Sequence, residues 1–477
     1  MRDNSQVTHS IKQTDLDYLT EFFAKRHSRG HAPSAVWGVF DRSGLVSAGS
    51  TGTLPDGSTP TEHTAYRIAS CTKSFAAASV LALRDEGKLS LDDPITRYLP
   101  AFSAVTLPTP DSPTPTLRML LTMSAGFPTD NPWGDRQESI SNDDLDALLR
   151  GGLTFETIPG TTFAYSNLGY ALVGRAIEAV SGVSFIEFVT ERFIRPLGLT
   201  GTGFDASVAA ADGVAIGTRW LDDHWEPLPF SGPGAFSPIG GLFSTITDLT
   251  TWAGWLASAF DPKGADAADS PLSRASRREL HQVQRFVDES GHPGGYALGL
   301  HTNHYPGGDV VTCHSGGYPG FSAHMRWSQT SGVGLVAFEN ATASRVPLAV
   351  IEAFDHLVST RKPNPVAAVL SETRAVQQAA TELIRSWSDE SADALFAENV
   401  AMDDSYDRRR KAIEAAVTRI GGFDASAPSR PQDETSESPS HLVWFIPGNA
   451  GRLRVEVQLT PENPPLVQQL QVTVDKG

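Results

Sequence analysis

Two cysteines in 477 residues are too few for a disulfide framework. The 13 histidines include no H-E-x-x-H, and no C-x-x-C occurs, so a metal site is unsupported and no cofactor is expected. The absence of G-x-S-x-G disfavours the nucleophile elbow of an α/β-hydrolase. No unbroken apolar run reaches about 18 residues, so no membrane span is expected. Positive charge is scarce as well: 38 Lys and Arg stand against 55 Asp and Glu, a formal net charge of −17. Nucleic acid and anionic membranes require a basic surface for counterion release, and neither partner is expected. The opening stretch, MRDNSQVTHSIKQTDLDYL, has no apolar core behind Arg2. A secretory signal is therefore not expected, and a cytoplasmic location is the default expectation.

What is present is ordinary for a folded chain: 40% apolar and 19% charged residues, enough for a large core. The length suggests two or three domains. SAVWGVFD (34–41) and GLVSAG (44–49) read as strands joined at Arg42–Ser43. From Ser70 the chain turns helical, with Gly87 as its stop, and LPTPDSPTPT (107–116) is a proline-punctuated loop. Residues 168–193 predict a long helix interrupted near Gly182, and 245–259 another. Strands are expected over 309–313, 321–328 and 332–338, separated by the glycine-rich turns SGGYPG and TSG. Early strands, a helical middle and late strands imply an α+β (mixed α/β) region of 1–360, its sheet assembled from both ends.

STRKPNPVA (359–367) reads as a boundary, and 361–477 as a small α+β accessory domain. Helices at about 366–388 and 407–420 precede a polar stretch, ASAPSRPQDETSESPS, and then three strands. In GRLRVEVQL, Leu453, Val455, Val457 and Leu459 alternate with polar residues, the period of a half-buried strand. Arg452 and Arg454 fit a solvated strand face, or a reach toward an active site if this domain folds over it. The sequence has no internal repeat, and nothing in it specifies an oligomeric state.

Three short segments carry candidate chemistry. In Ser70-Cys71-Thr72-Lys73, helical spacing puts the lysine one turn from the serine. A buried lysine loses preference for its charged form and becomes able to take a hydroxyl proton. If Ser70 opens the helix, free N–H groups there also favour an oxyanion. S-x-x-K also arises by chance, and a second copy stands at Ser359–Lys362. In Tyr165-Ser166-Asn167, residues i and i+2 of an extended segment enter one cleft. A phenol beside a cationic lysine ionises more readily and relays protons, though a core tyrosine is the plainer alternative. His314-Ser315-Gly316-Gly317 would end a strand, its glycines letting backbone approach a ligand, or else be a glycine turn with a surface histidine. Asp130, Trp133, Asp135 and Arg136 either border a substrate entrance or form a solvated loop. Cys71 and Cys313 adjoin the outer motifs, and two buried thiols are the expected state rather than a disulfide.

The order S-x-x-K, Y-x-N, H-x-G, at intervals of 95 (70 to 165) and 149 (165 to 314) residues, resembles the serine β-lactamase, DD-peptidase and class VIII esterase superfamily in its class C-like branch. TAYRIASCTKSF, EGKLSLDDPITRYLP, TLRMLLTMSAGFP, PGTTFAYSNLGY, RPLGLTGTGF, PIGGLFSTITDL, YALGL and HSGGYPGF match its pattern over roughly 30–350. The resemblance implies a β-lactamase/transpeptidase-like domain with an antiparallel sheet flanked by helices. It implies that Ser70 is the acyl-accepting nucleophile, Lys73 its base, and Tyr165 the acid/base for leaving-group departure and deacylation. Asn167 would bind the substrate amide or order Lys73, and His314, Gly316 and Gly317 would bind substrate, with Ser70 and Gly317 N–H groups as the oxyanion hole. Met123 departs from the histidine common in relatives, with only an indirect effect expected. His314 replaces the usual lysine, a permanent cation, which points to weaker carboxylate recognition and to ester, amide, thioester or D-aminopeptidase-like substrates. The alternatives are a penicillin-binding-protein-type thioesterase that releases or cyclises a nonribosomal peptide, a β-lactamase or DD-peptidase, and a silent binding protein of the same fold.

Overall fold

The computed structural model describes residues 11–206, 213–265, 267, 270–287, 292–305, 308–359, 369–426 and 431–475. The second S-x-x-K copy reaches Lys362, which is outside these residues, as is most of the proline-containing 359–367 stretch. The chain divides into two compact units, Met1–Lys362 and Pro363–Gly477.

The first unit is built on an eight-stranded sheet. Its strands are β1 (Ser34–Asp41), β2 (Gly44–Gly52), β3 (Arg285–Phe286), β4 (Gly294–Tyr296), β5 (His301–His304), β6 (Val310–Tyr318), β7 (Phe321–Ser328) and β8 (Gly334–Glu339). They lie in the order β2-β1-β8-β7-β6-β5-β4-β3, every pair antiparallel, so the sheet is assembled from both ends of the chain. On one face, α1 (Gln13–Ser28) and α5 (Val346–Ser359) share a core with Trp37, Val39, Val311, Leu335 and Ala337. Phe23 stacks on Trp37 there, ring centroids 4.6 Å apart.

The other face carries α2 (Lys73–Asp85), α3 (Asn167–Ser181) and α4 (Ile246–Ala257) in the largest core. α2 is apolar on most sides and buried from Lys73 to Leu83, as its Ala-rich composition predicts. It is fixed to α4 by Phe75 stacked on Trp252 at 3.7 Å, and the Trp252 indole N–H donates to Ser74 Oγ. α3 starts at the N-cap Ser166 and stops at Gly182, whose φ of +79° is the left-handed conformation of a helix C-terminus. The interruption expected near Gly182 is thus a true end, and a short helix, Phe185–Val189, follows.

Two local expectations are corrected. H-S-G-G does not lie in a turn: β6 pairs with β7 through to Tyr318↔Phe321, so ladder hydrogen bonding overrides the glycine signal and the turn falls at Pro319–Gly320. Ser70 does not open an α-helix: it sits in a 3₁₀ turn, Ala69–Thr72, and α2 begins at Lys73.

In the second unit, α6 (Ser371–Arg385) and α7 (Tyr406–Arg419) share a core with the antiparallel strands β9 (His441–Gly448), β10 (Gly451–Leu459) and β11 (Val467–Asp475). Leu453, Val455, Val457 and Leu459 are all buried, as the alternation predicts. Arg452 is committed to Asp475 and Asp433 at 2.6 and 2.9 Å, and Arg454 to Glu456 at 2.6 Å, all within this unit. No helix among the described residues is long and apolar enough to cross a membrane.

Candidate active site

The Ser70 turn is held under constraint. Ala69 has φ +47°, a left-handed conformation that costs an alanine free energy and persists only where packing enforces it. The enforcing neighbours are β6 and the Ser237–Gly240 turn. A Cβ on Gly316 would stand 2.2 Å from the Ile68 carbonyl oxygen, so only glycine lets β6 lie this close to the Ser70 segment. Gly299, in YALGL, does the same at the start of α2: its φ is +70°, and a Cβ there would meet the Lys73 carbonyl at 2.7 Å. β5 begins at His301, opposite Cys313, so its pairing leaves His314–Tyr318 without a strand partner on that side of β6.

Lys73 is wholly buried, and its Nζ donates to Ser70 Oγ at 3.0 Å, Asn167 Oδ1 at 2.7 Å and Ile239 O at 2.8 Å. Burial pushes its pKa down to about 7, against the opposing pull of Asp135 and then Asp130. The contact geometry then decides what a neutral Lys73 does. The carboxamide oxygen of Asn167 and the carbonyl of Ile239 only accept hydrogen bonds, so they take the two N–H groups of the amine. The remaining lone pair faces the Ser70 hydroxyl, which alone of the three partners has a proton to give. Asn167 is kept in this orientation because its Nδ2 donates to Asn131 Oδ1 at 2.9 Å.

Tyr165 stands beside Ser70, and Lys73 Nζ lies 5.0 Å from its ring centroid. The expectation that a neighbouring lysine eases ionisation of this phenol is overturned. Burial holds it well above the ordinary tyrosine range, only partly opposed by the neighbouring Ser70 hydroxyl. The resting group is thus a neutral phenol beside an amine poised near neutrality.

His314 is buried, not on the surface, and its Nε2 lies 3.2 Å from the Tyr296 hydroxyl. Burial, then His301 and Lys73, hold its imidazole well below the usual range, so it is neutral at pH 7. It makes no hydrogen bond to Ser70 or Lys73; its ring centroid is 6.4 Å from that of Tyr165. The two glycines part company: Gly316 is consumed by packing on Ile68, whereas Gly317 is exposed with open space above its Cα. Cys71 and Cys313 are free and buried, and burial raises both thiols. Met123, at φ +56°, accepts from the Ser166 N–H through its sulfur at 3.3 Å.

The loop after Pro128 is tied to the start of α3. The Asp130 carboxylate accepts from the N–H groups of Asn167 and Leu168 at 2.6 and 2.9 Å and from Ser166 Oγ at 3.1 Å. A carboxylate at a helix N-terminus satisfies orphan donors and favours the helix dipole. Gly134 packs on Asn167, where a Cβ would come within 2.7 Å of the Asn167 Cβ. No sequence signal joins residues 130 and 167, because the pairing is tertiary. Asp130→Ala is expected to destabilise the fold by about 1–2 kcal/mol and to lower turnover through displacement of Asn167. Thermal melting and kcat together check this; a lower melting temperature with unchanged kcat would separate the cap from the site.

Behind the turn, Arg67 and Glu138 form a buried ion pair at 3.1 Å, their side chains 2% and 1% exposed. Arg67 also donates to Gly240 O at 3.0 Å and lies 3.9 Å from the Tyr318 ring centroid, while Glu138 accepts from Ser237 Oγ at 3.0 Å. Four segments that frame Ser70 are joined through this pair. Sequence reasoning missed both residues. Among the described residues, no group of histidine, cysteine and acidic side chains is arranged to hold a metal.

Comparison with known proteins agrees with this architecture. The fold is similar to an octameric penicillin-binding protein homologue from Pyrococcus abyssi, with a TM-score of 0.61 at 19% identity, covering 97% of this chain and 98% of that one. It is also similar to a D-stereospecific amidohydrolase from Streptomyces sp., with a TM-score of 0.58 at 24% identity, covering 72% and 98%. Among curated sequences, Beta-lactamase-like protein 2 of Dictyostelium discoideum is 29% identical over 242 residues, 47% of this chain and 42% of that protein. Protein flp of Staphylococcus aureus (strain COL) is 27% identical over 318 residues, 65% of this chain and 59% of that protein. The matched stretches thus span about half the length of these relatives. The Beta-lactamase family model matches residues 19–358, most of the first unit, and the chain belongs to the Beta-lactamase family.

Proposed function

We propose that this chain is a serine hydrolase that cleaves an ester or amide through an acyl-Ser70 intermediate. The observation that carries this reading is the three-way environment of Lys73, which leaves the Ser70 hydroxyl as the one proton donor to a neutral amine. Ser70 Oγ attacks the substrate carbonyl carbon as its proton passes to Lys73 Nζ, and the negative charge moves to the carbonyl oxygen. The N–H groups of Ser70 and the open Gly317 are the oxyanion donors in this reading. Collapse breaks the bond to the leaving group, which takes a proton from the Tyr165 phenol while Lys73 reprotonates that phenol. Water then attacks the acyl carbon and gives its proton to Lys73 through Tyr165; collapse breaks the bond to Ser70 Oγ, which takes that proton back from Lys73 as the acid leaves.

His314 bears on substrate choice. A buried neutral imidazole supplies no fixed cation for a substrate carboxylate, which favours esters and amides without a free carboxylate over penicillins or a D-Ala-D-Ala terminus. The Streptomyces amidohydrolase among the similar folds supports amide cleavage as part of this range. Acid-quenched mixtures of enzyme and a p-nitrophenyl ester test the proposal: tryptic mass mapping is expected to find the acyl mass on the peptide holding Ser70, and none in Ser70→Ala. Turnover by an enzyme that never carries an acyl group on Ser70 would refute it.

A further inference from the structure

The carboxylates around the site have different commitments. Asp130 is used by the N-terminus of α3, and Glu138 by Arg67 and Ser237. Asp135 is the remaining one. It follows Gly134 directly, the residue packed on Asn167, and its charge acts on both Lys73 and Tyr165. Among the described residues, no hydrogen-bond donor or ion-pair partner meets its carboxylate, although the side chain is half-buried. Such a group lacks the pairing that a desolvated charge normally has. The nearby basic groups are otherwise engaged: Lys73 by Asn167, Ile239 and Ser70, and Arg67 by Glu138, while Arg136 is exposed. On the β6 side, the cleft offers the neutral His314.

We infer that Asp135 is a specificity-determining residue that pairs with a protonated amine on the substrate, so that the preferred acyl group carries a free amino group close to the scissile carbonyl. This rests on the acyl-Ser70 reading and names the substrate class within it. An ammonium brought to Asp135 completes its missing pairing, with a charge-assisted hydrogen bond available. An acyl group bearing a carboxylate meets like charge there and finds no cation at His314. Asp135 differs in this from Asp130 and Glu138, which already have partners without substrate.

The test compares alanine p-nitroanilide with N-acetylalanine p-nitroanilide, each as D and L forms, on wild-type and Asp135→Asn enzyme. Wild-type kcat/KM is expected to favour the free amine of the accepted enantiomer roughly 10–100-fold, the range of a hydrogen bond to a charged group. Asp135→Asn is expected to remove most of that ratio by raising KM for the free amine. If Asp135 only tunes Lys73, the substitution will shift the pH profile of both substrates alike and leave the ratio intact, which overturns the inference. A wild-type preference for the acetylated substrate also overturns it. Fluorophosphonate labelling separates the two levels. Turnover of neither anilide by enzyme that labels at Ser70 overturns the amine assignment alone, whereas no label on Ser70 removes the acyl-serine reading and this inference with it.

Discussion

Lys73→Met is expected to lower turnover of any acyl substrate about 10²–10⁴-fold, the usual contribution of a positioned general base. Methionine approximates the length of the lysine stem and remains apolar in a wholly buried position, so the effect is chemical more than structural. It removes the amine lone pair that faces the Ser70 hydroxyl, and it leaves Asn167 Oδ1 and Ile239 O without the Lys73 donor. Those orphaned acceptors carry their own cost, so thermal melting of the variant belongs beside the kinetics. The loss should appear in kcat, because the interaction is made with the attacking atom. A variant that keeps full kcat while folding normally would leave Lys73 a purely structural residue.

Glu138→Gln is expected to be the most damaging conservative change away from the reacting atoms. Removing one partner of a buried ion pair leaves the other charge desolvated, at a cost of about 3–5 kcal/mol. Arg67 would be left against Tyr318, Phe243 and the Gly240 carbonyl, with no anion in contact. Because the pair joins segments around the Ser70 turn, activity at moderate temperature should fall with stability. Chemical denaturation measures the first effect. The double change Arg67→Met with Glu138→Leu gives the contrast: replacing both charges by apolar groups should recover much of the lost stability, since neither leaves an unpaired ion. Equal stability of Glu138→Gln and wild type would mean that the pair contributes nothing to the frame.

What the sequence made legible was whatever local spacing encodes. S-x-x-K brings Lys73 to Ser70 because a helical turn separates i from i+3, and the 3₁₀ form of the Ser70 turn did not change that outcome. The alternation in β10 and the apolar length of α2 were readable for the same reason: one face or one helix suffices to express them. The glycines of HSGG misled as turn formers because their use is tertiary. Gly316 is required by the Ile68 carbonyl, a partner far away in the chain. The protonation of Tyr165 was misjudged since a neighbouring cation is visible in a motif but burial is not. Asp130 at the start of α3, and the Arg67–Glu138 pair, stayed hidden because they join segments with no shared pattern.

The pH dependence of Ser70 phosphonylation tests the central claim most directly. Only the neutral form of Lys73 accepts the serine proton, and burial brings its pKa down to about 7. The rate of adduct formation with a fluorophosphonate, read by intact mass, should therefore rise with pH, reach half its plateau near 7, and lose that step in Lys73→Met. A rate in the wild type that is flat between about pH 5 and 9, or one that rises only toward the ordinary lysine pKa of about 10.4, would contradict the account.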